Sequence, residues 1–142
     1  LNLAVNARDA MPDGGTLRIS ATAETVGAVS ARKRPLDQAP KLAPGRYVRL
    51  SVADTGTGMD EATLARAVEP FFSTKGVGKG TGLGLSMAHG LASQLGGALG
   101  IQSRPGLGTN VELWLPQSGE APEAASPPPM SSPDGLRGTA LL

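Results

Sequence analysis

Three groups of residues in this chain have types and spacings that suit chemistry: a run of glycines at 76–86, an aspartate at 54, and a stripe of asparagines and an aspartate at 2, 6 and 9. The run reads Gly76-Val77-Gly78-Lys79-Gly80-Thr81-Gly82-Leu83-Gly84-Leu85-Ser86 and leads into an apolar helical pattern. Glycine lets backbone amides come close to a ligand. A helix opening beside such a loop points unpaired N–H groups and partial positive charge at whatever sits there, which suits phosphate. The spacing excludes two common phosphate motifs. A P-loop would need its first glycine where Ser73 stands, and Gly78-Lys79 is followed by Gly80 instead of Ser or Thr. A Gly-x-Gly-x-x-Gly fingerprint fails because Thr81, Leu83 or Leu85 occupies its last position. Taken alone, the run can also be read as a linker before a helix, the less favoured of the two readings.

Asp54 ends a segment in which Val48, Leu50 and Val52 alternate onto one face, and period-two counting puts Asp54 on that same face. A carboxylate closing a core-facing row is costly unless something pairs with it. Thr55-Gly56-Thr57-Gly58 follows, so Asp54 is either a ligand-reading group or the start of an Asx-type turn. Asn2, Asn6 and Asp9 fall at i, i+4 and i+7, one helical stripe. Asparagine is a middling helix former, and solvated stripes favour Lys or Glu, so amide oxygens are as plausible a reason for the stripe as solvation.

These residues need elements to position them. Leu1 to Met11 reads as a helix stopped by Pro12, and Thr16 to Thr22 as a strand with Leu17, Ile19 and Ala21 on one face. Gly27 to Gly45 is irregular and holds the basic run Arg32-Lys33-Arg34. Arg46 to Asp54 is a second strand, and Asp60 to Val68 a short helix capped by Asp60. Glu69-Pro70-Phe71-Phe72-Ser73-Thr74-Lys75 leads to the glycine run. Thr81 to Leu95 is the strongest helix, with Leu83, Met87, Leu91 and Leu95 expected inward and Gly96-Gly97 ending it. His89, the one histidine, shares a polar stripe with Ser86 and Ser93 and reads as a surface residue. Ala98 to Ser103 and Thr109 to Leu115 form a closing hairpin stopped by Pro116. From Gln117 the Pro, Ala, Ser and Glu content is that of a disordered linker.

Composition narrows the function classes. The chain has 142 residues, enough for one domain and a tail. A net charge of +1 argues for neither nucleic acid nor direct membrane contact. Tyr47, Phe71, Phe72 and Trp114 are the only aromatics, too few for base-stacking platforms. With no cysteine there is no thiolate chemistry or disulfide framework, which fits a reducing compartment such as the cytoplasm. No apolar run is long enough to cross a bilayer. The first residue is Leu, inside a helix already under way, so a fragment of a longer protein is expected.

Assembled, these segments resemble the catalytic ATP-binding domain of sensor histidine kinases, within the gyrase–chaperone–kinase–MutL ATPase superfamily. The resemblance covers Leu1 to Pro116 and rests on four motifs in order. Leu1-Asn2-Leu3-Ala4-Val5-Asn6-Ala7-Arg8-Asp9-Ala10 looks like the N box, and Asp54-Thr55-Gly56-Thr57-Gly58 like the G1 box. Glu69 to Lys75 looks like the F box, and Gly80-Thr81-Gly82-Leu83-Gly84-Leu85-Ser86 like the G2 box. The wording is closest to kinases of the nitrogen-regulation and hybrid type.

The resemblance implies an α/β two-layer sandwich of Bergerat type, a mixed and mostly antiparallel sheet with three helices on one face. It implies ATP and Mg²⁺ between helices and sheet. Asp54 would read the adenine amino group, since a carboxylate only accepts hydrogen bonds. Asn6 would hold Mg²⁺ through its amide oxygen, with Asn2 and Asp9 nearby on the same stripe. Lys75 or Lys79 would neutralise phosphate charge, and Gly80, Gly82, Leu83 and Gly84 would supply amides. Gly56, Gly58, Met59, Thr81 and Leu85 complete the nucleotide set. Gly76 to Thr81 would form a lid with Phe71 and Phe72 anchoring its base.

One position separates the possible activities. Hydrolytic relatives place a glutamate general base four residues before the Mg²⁺ asparagine. Here Asn2 stands there, and an amide cannot take a proton. A neutral imidazole already has a lone pair, so transfer to histidine needs less help. Histidine kinase is therefore the first reading, an ATP-binding module without turnover the second, a hydrolytic ATPase the third. The implied partners are a dimerisation and phosphoacceptor helical domain and a response regulator or fused receiver domain. Many such kinases carry Lys or Arg where Asp9 stands, which puts that phosphate contact in question. Gly135 to Leu142 reads either as the opening strand of a receiver domain or as a ragged linker end.

Overall fold

The computed structural model describes residues 2–27, 41–76 and 80–118. The basic run at 32–34, residues 77–79 of the glycine run with Lys79 among them, and the tail from 119 lie outside the described residues. The elements in order are α1 (Asn2–Asp9), β1 (Leu17–Val26), β2 (Gly45–Asp54), α2 (Glu61–Arg66), α3 (Gly84–Gln94), β3 (Ala98–Arg104) and β4 (Gly108–Pro116).

The strands form one sheet in the order β1-β2-β4-β3. The resemblance implied a mixed sheet, but every ladder among the described residues is antiparallel. The register stacks the alternation of β2, β4 and β3 into continuous rows. Leu50, Leu113 and Leu99 pair across the sheet, then Val52, Val111 and Ile101, and then Asp54, Thr109 and Ser103. Side chains two apart share a face, so all three rows point the same way. Two rows are hydrocarbon and the third is polar.

The hydrocarbon rows lie under the helices. Leu99, Ile101, Val111 and Leu113 pack with Leu64 and Ala67 at α2 and Ala92 of α3, and Leu3 of α1 joins at the margin. Asp60 caps α2 by accepting from the Thr63 amide at 2.7 Å. Hydrogen bonds from the Thr63 side chain and backbone hold the Asp60 carboxyl below its ordinary range. Helix α3 ends in a Schellman motif: Gly96, at φ +73°, donates to Ser93 and Gly97 donates to Ala92 at 2.8 Å.

Two sequence expectations need correcting. Met87, Leu91 and Leu95 do not face the core; they are 60, 54 and 54% exposed. The face against the sheet is Leu85, Ala88 and Ala92, spaced three and four apart. A strict four-residue repeat drifts around a 3.6-residue helix, and the smaller alanines allow the closer approach. Leu17 and Ile19 are also exposed, at 38 and 57%. Strand β1 is the sheet edge, and α1 packs chiefly on β2. β1 also runs four residues past the expected Thr22.

The opposite face of the sheet is sealed differently. Trp114 is wholly buried beside Tyr47, Val26 and Leu42. The Tyr47 hydroxyl donates to the Ala43 carbonyl at 2.8 Å, and Trp114 Nε1 donates to Glu112 Oε2 at 3.2 Å. The Arg49 guanidinium lies 5.5 Å from the Trp114 ring centre and pairs with Glu24 at 3.1 Å and Glu112 at 3.5 Å.

Candidate functional site

The polar row opens into a cavity of about 450 Å³ between the helices and the sheet. That size falls in the range of small-molecule sites. Asp54 stands at one end. Its Oδ1 accepts from the Gly56 amide at 2.8 Å and the Thr109 amide at 3.3 Å. Among the described residues nothing bonds Oδ2, so that oxygen is left for a ligand. The turn after β2 is held from both sides: Thr55 N–H donates to Thr16 O and Thr57 N–H to Ala10 O. Gly108 packs against this strand end; a Cβ there would sit 1.9 Å from the Asp54 carbonyl oxygen, and its φ is +95°.

Helix α1 supplies the wall beside it. Asn2, Asn6 and Asp9 all line the cavity, as their stripe predicts. Asn6 meets α3 where that helix begins: a Cβ on Gly84 would lie 2.9 Å from Asn6 Nδ2. Any larger residue at 84 would push that amide away. Leu83 at the α3 N-cap offers no side-chain bond, so among the described residues the first-turn amides of α3 meet no side-chain cap. Helix α2 differs, being capped by its own Asp60.

Lys75 reaches the same end from the opposite wall. Its Nζ bonds Asp9 Oδ2 at 2.6 Å, and its backbone N–H donates to Ser73 Oγ at 3.1 Å. Arg8 grips the other oxygen of Asp9 through Nε at 3.1 Å and NH2 at 2.8 Å. Hydrogen bonds from Lys75, and then from Arg8, hold the Asp9 carboxyl below its ordinary range. Asp9 is thus a bridge between two cations, where the resemblance leads one to expect a cation.

The other residues singled out from sequence divide. Gly58, Met59, Phe72, Gly80, Thr81, Gly82 and Leu85 line the cavity. Gly56, Phe71 and Leu83 do not. Gly56 acts one step back, through its amide on Asp54. Phe71 is the clearest departure: it is 77% exposed, and its backbone has the left-handed φ of +65°. That conformation costs about 1 kcal/mol or more for a non-glycine residue. Its N–H donates to Gly82 O at 2.9 Å, so the F box is tied to the glycine run through backbone instead of through this ring. Phe72 packs beneath the Arg66 guanidinium, 4.3 Å from its ring centre. Lys79 lies outside the described residues.

Sequence reasoning missed Thr109, which lines the cavity, and Ser103 behind it. The signal was available. The two lie at equal distances either side of Gly106, so a hairpin centred there pairs them, and each continues a hydrocarbon face.

Residues 1–119 match the family described as histidine kinase-, DNA gyrase B-, and HSP90-like ATPase. Sensor kinase CckA of Brucella abortus (strain 2308) is 42% identical over 148 residues, covering 100% of this chain and 15% of the relative. Two-component sensor PprA of Pseudomonas aeruginosa is 43% identical over 121 residues, covering 85% of this chain and 12% of the relative. The chain therefore spans less than a fifth of these curated relatives. Among solved structures, full-length ShkA in complex with AMPPNP aligns with a TM-score of 0.57 at 29% identity, covering 82% of this chain and 20% of that one. The mycobacterial sensor histidine kinase MprB aligns with a TM-score of 0.55 at 25% identity, covering 82% and 66%.

Proposed function

Since this chain belongs to the family of histidine kinase-, DNA gyrase B- and HSP90-like ATPases, we propose that it is the ATP-binding part of a two-component sensor histidine kinase. Its task is to present the γ-phosphoryl group of ATP to a histidine on a separate helical dimerisation domain. The observation that carries the reading is the shared cavity of Asp54 and Asn6. One end offers a free carboxylate oxygen to an exocyclic amine, and the other offers amide and ammonium groups to phosphates.

The metal reading fits the donors present. Among the described residues no group of three His, Cys, Asp or Glu side chains gathers. A divalent ion there would rely on phosphate and water for most of its shell, as Mg²⁺ does, with the Asn6 amide oxygen as the protein's contribution. Mg²⁺ bound there would offset charge on the phosphates. Lys75 and the first-turn amides of α3 would hold the phosphates in line for transfer.

Hydrolysis is less well served. Asn2 lines the cavity but cannot accept a proton. Asp9 is kept ionised by Lys75 and Arg8, which makes it a weak base. His89 is exposed on α3 and does not line the cavity, so self-phosphorylation of this chain is not expected. An apolar stripe open to solvent, Met87, Leu91 and Leu95, supports docking of a helical acceptor domain. We further assign residues 1–116 to the ATP-binding domain, 117–142 to a linker, and the whole to the cytoplasm.

The test is calorimetric titration with ATP, with and without Mg²⁺, followed by addition in trans of a helical hairpin bearing the acceptor histidine. Label from γ-labelled ATP should appear on the hairpin. Binding without transfer would favour a passive module, and steady phosphate release without partner a hydrolase.

A further inference from the structure

The geometry points to Ser103 as the residue that fixes the direction of the Thr109 hydroxyl proton, and through it the preference for a purine amino group over a carbonyl. This rests on the assignment of the Asp54 end to the base. Ser103 is 8% exposed, does not line the cavity, and touches three groups. Its Oγ accepts from the Met59 amide at 2.8 Å, donates to the Gly108 carbonyl at 3.1 Å, and lies 2.8 Å from Thr109 Oγ1.

The proton count decides what Thr109 can do. A carbonyl only accepts, and a serine hydroxyl has one proton. With that proton on Gly108, the bond between the two hydroxyls must run from Thr109 to Ser103. Thr109 has then spent its only proton on a buried neighbour, and lone pairs are what it can offer a ligand. Across the β2–β4 ladder from it stands Asp54, whose Oδ2 also only accepts. Two acceptors side by side suit the N–H groups of an exocyclic amine. They repel a carbonyl at the same ring position, as inosine and guanosine triphosphates carry. Ser103 is thus a positioning residue: it enforces refusal of the wrong base without touching any base.

The test measures binding of ATP, ITP and GTP, with Mg²⁺, to the full chain and to Ser103→Ala, Ser103→Thr, Thr109→Val and the Ser103→Ala/Thr109→Val pair. Ser103→Ala frees the Thr109 proton to turn towards the ligand, so the preference for ATP over ITP and GTP narrows by about tenfold. Ser103→Thr keeps the hydroxyl and restores the wild-type preference. In the Thr109→Val background, Ser103→Ala no longer changes the ratio. Parallel weakening of all three nucleotides, with an unchanged ratio, overturns the proposal and leaves Ser103 a strut. If Ser103→Ala does not fold, Thr109→Val decides alone, because an unchanged ATP-to-ITP ratio there also overturns it. Failure of the unaltered chain to bind ATP sinks the nucleotide reading itself, an outcome separate from a lost ratio.

Discussion

At one end of the cavity, backbone meets backbone. The Asp54 carboxylate is aimed by two amides, the turn after β2 is bonded to Thr16 and Ala10, and Gly108 lies so close that a single added carbon would strike the Asp54 carbonyl. At the other end, side chains meet across a partly open mouth: Lys75 on Asp9, Asp9 on Arg8, and the Asn2 and Asn6 amides along the same wall. The first end is set before any ligand arrives, because backbone contacts have few alternatives. The second is set by half-exposed charges, which salt and pH can retune. Such a cavity should be strict about the base and adjustable about the phosphates.

The sharpest way to break this contrast is Gly108→Ala. It asks a side chain to adopt φ +95° and to displace a strand end. We expect a loss of roughly 3 kcal/mol or more, seen as a lower Tm together with failure to bind ATP. A variant of wild-type stability would show that the base end is softer than described. Next in size is Asp54→Asn, which turns a donor towards the adenine amine; ATP affinity should fall by about 100-fold with little change in Tm. Undiminished affinity would mean that the purine lies elsewhere. At the phosphate end, Asn6→Ala should leave metal-free ATP binding in place while Mg²⁺ no longer improves it, read by titration against chelator. The smallest effect belongs to Asp9→Asn. Because the Asp9 carboxyl is held below its ordinary range, its contribution is full above that range and fades as pH falls through the lowered value. The Tm difference between wild type and Asp9→Asn should therefore shrink in acid, and also in high salt. A difference that persists in both would make Asp9 a packing residue.

The base end was half legible in sequence. Period-two alternation placed Asp54 at the end of a hydrophobic row, and glycines after it announced a turn. Thr109 and Ser103 escaped because each looks unremarkable within its own strand; only the register between strands brings them level with Asp54. The helical stripe of Asn2, Asn6 and Asp9 was legible for the converse reason, since its geometry is internal to one helix. Lys75 was singled out for its charge, but its bond to Asp9, far away in sequence, is a product of the fold. Helix α3 misled, because four large residues at a regular spacing suggest a core, whereas the sheet selected the smaller alanine side.

Trp114 has a practical consequence. It is the only tryptophan in the chain, and it is enclosed on the side of the sheet away from the cavity. Its emission should therefore be a clean gauge of whether the chain is folded, shifting to longer wavelength as the strands part and staying constant while nucleotide is added. Fluorescence then scores integrity and calorimetry scores occupancy, so a variant that has lost its ligand can be told at once from one that has lost its shape.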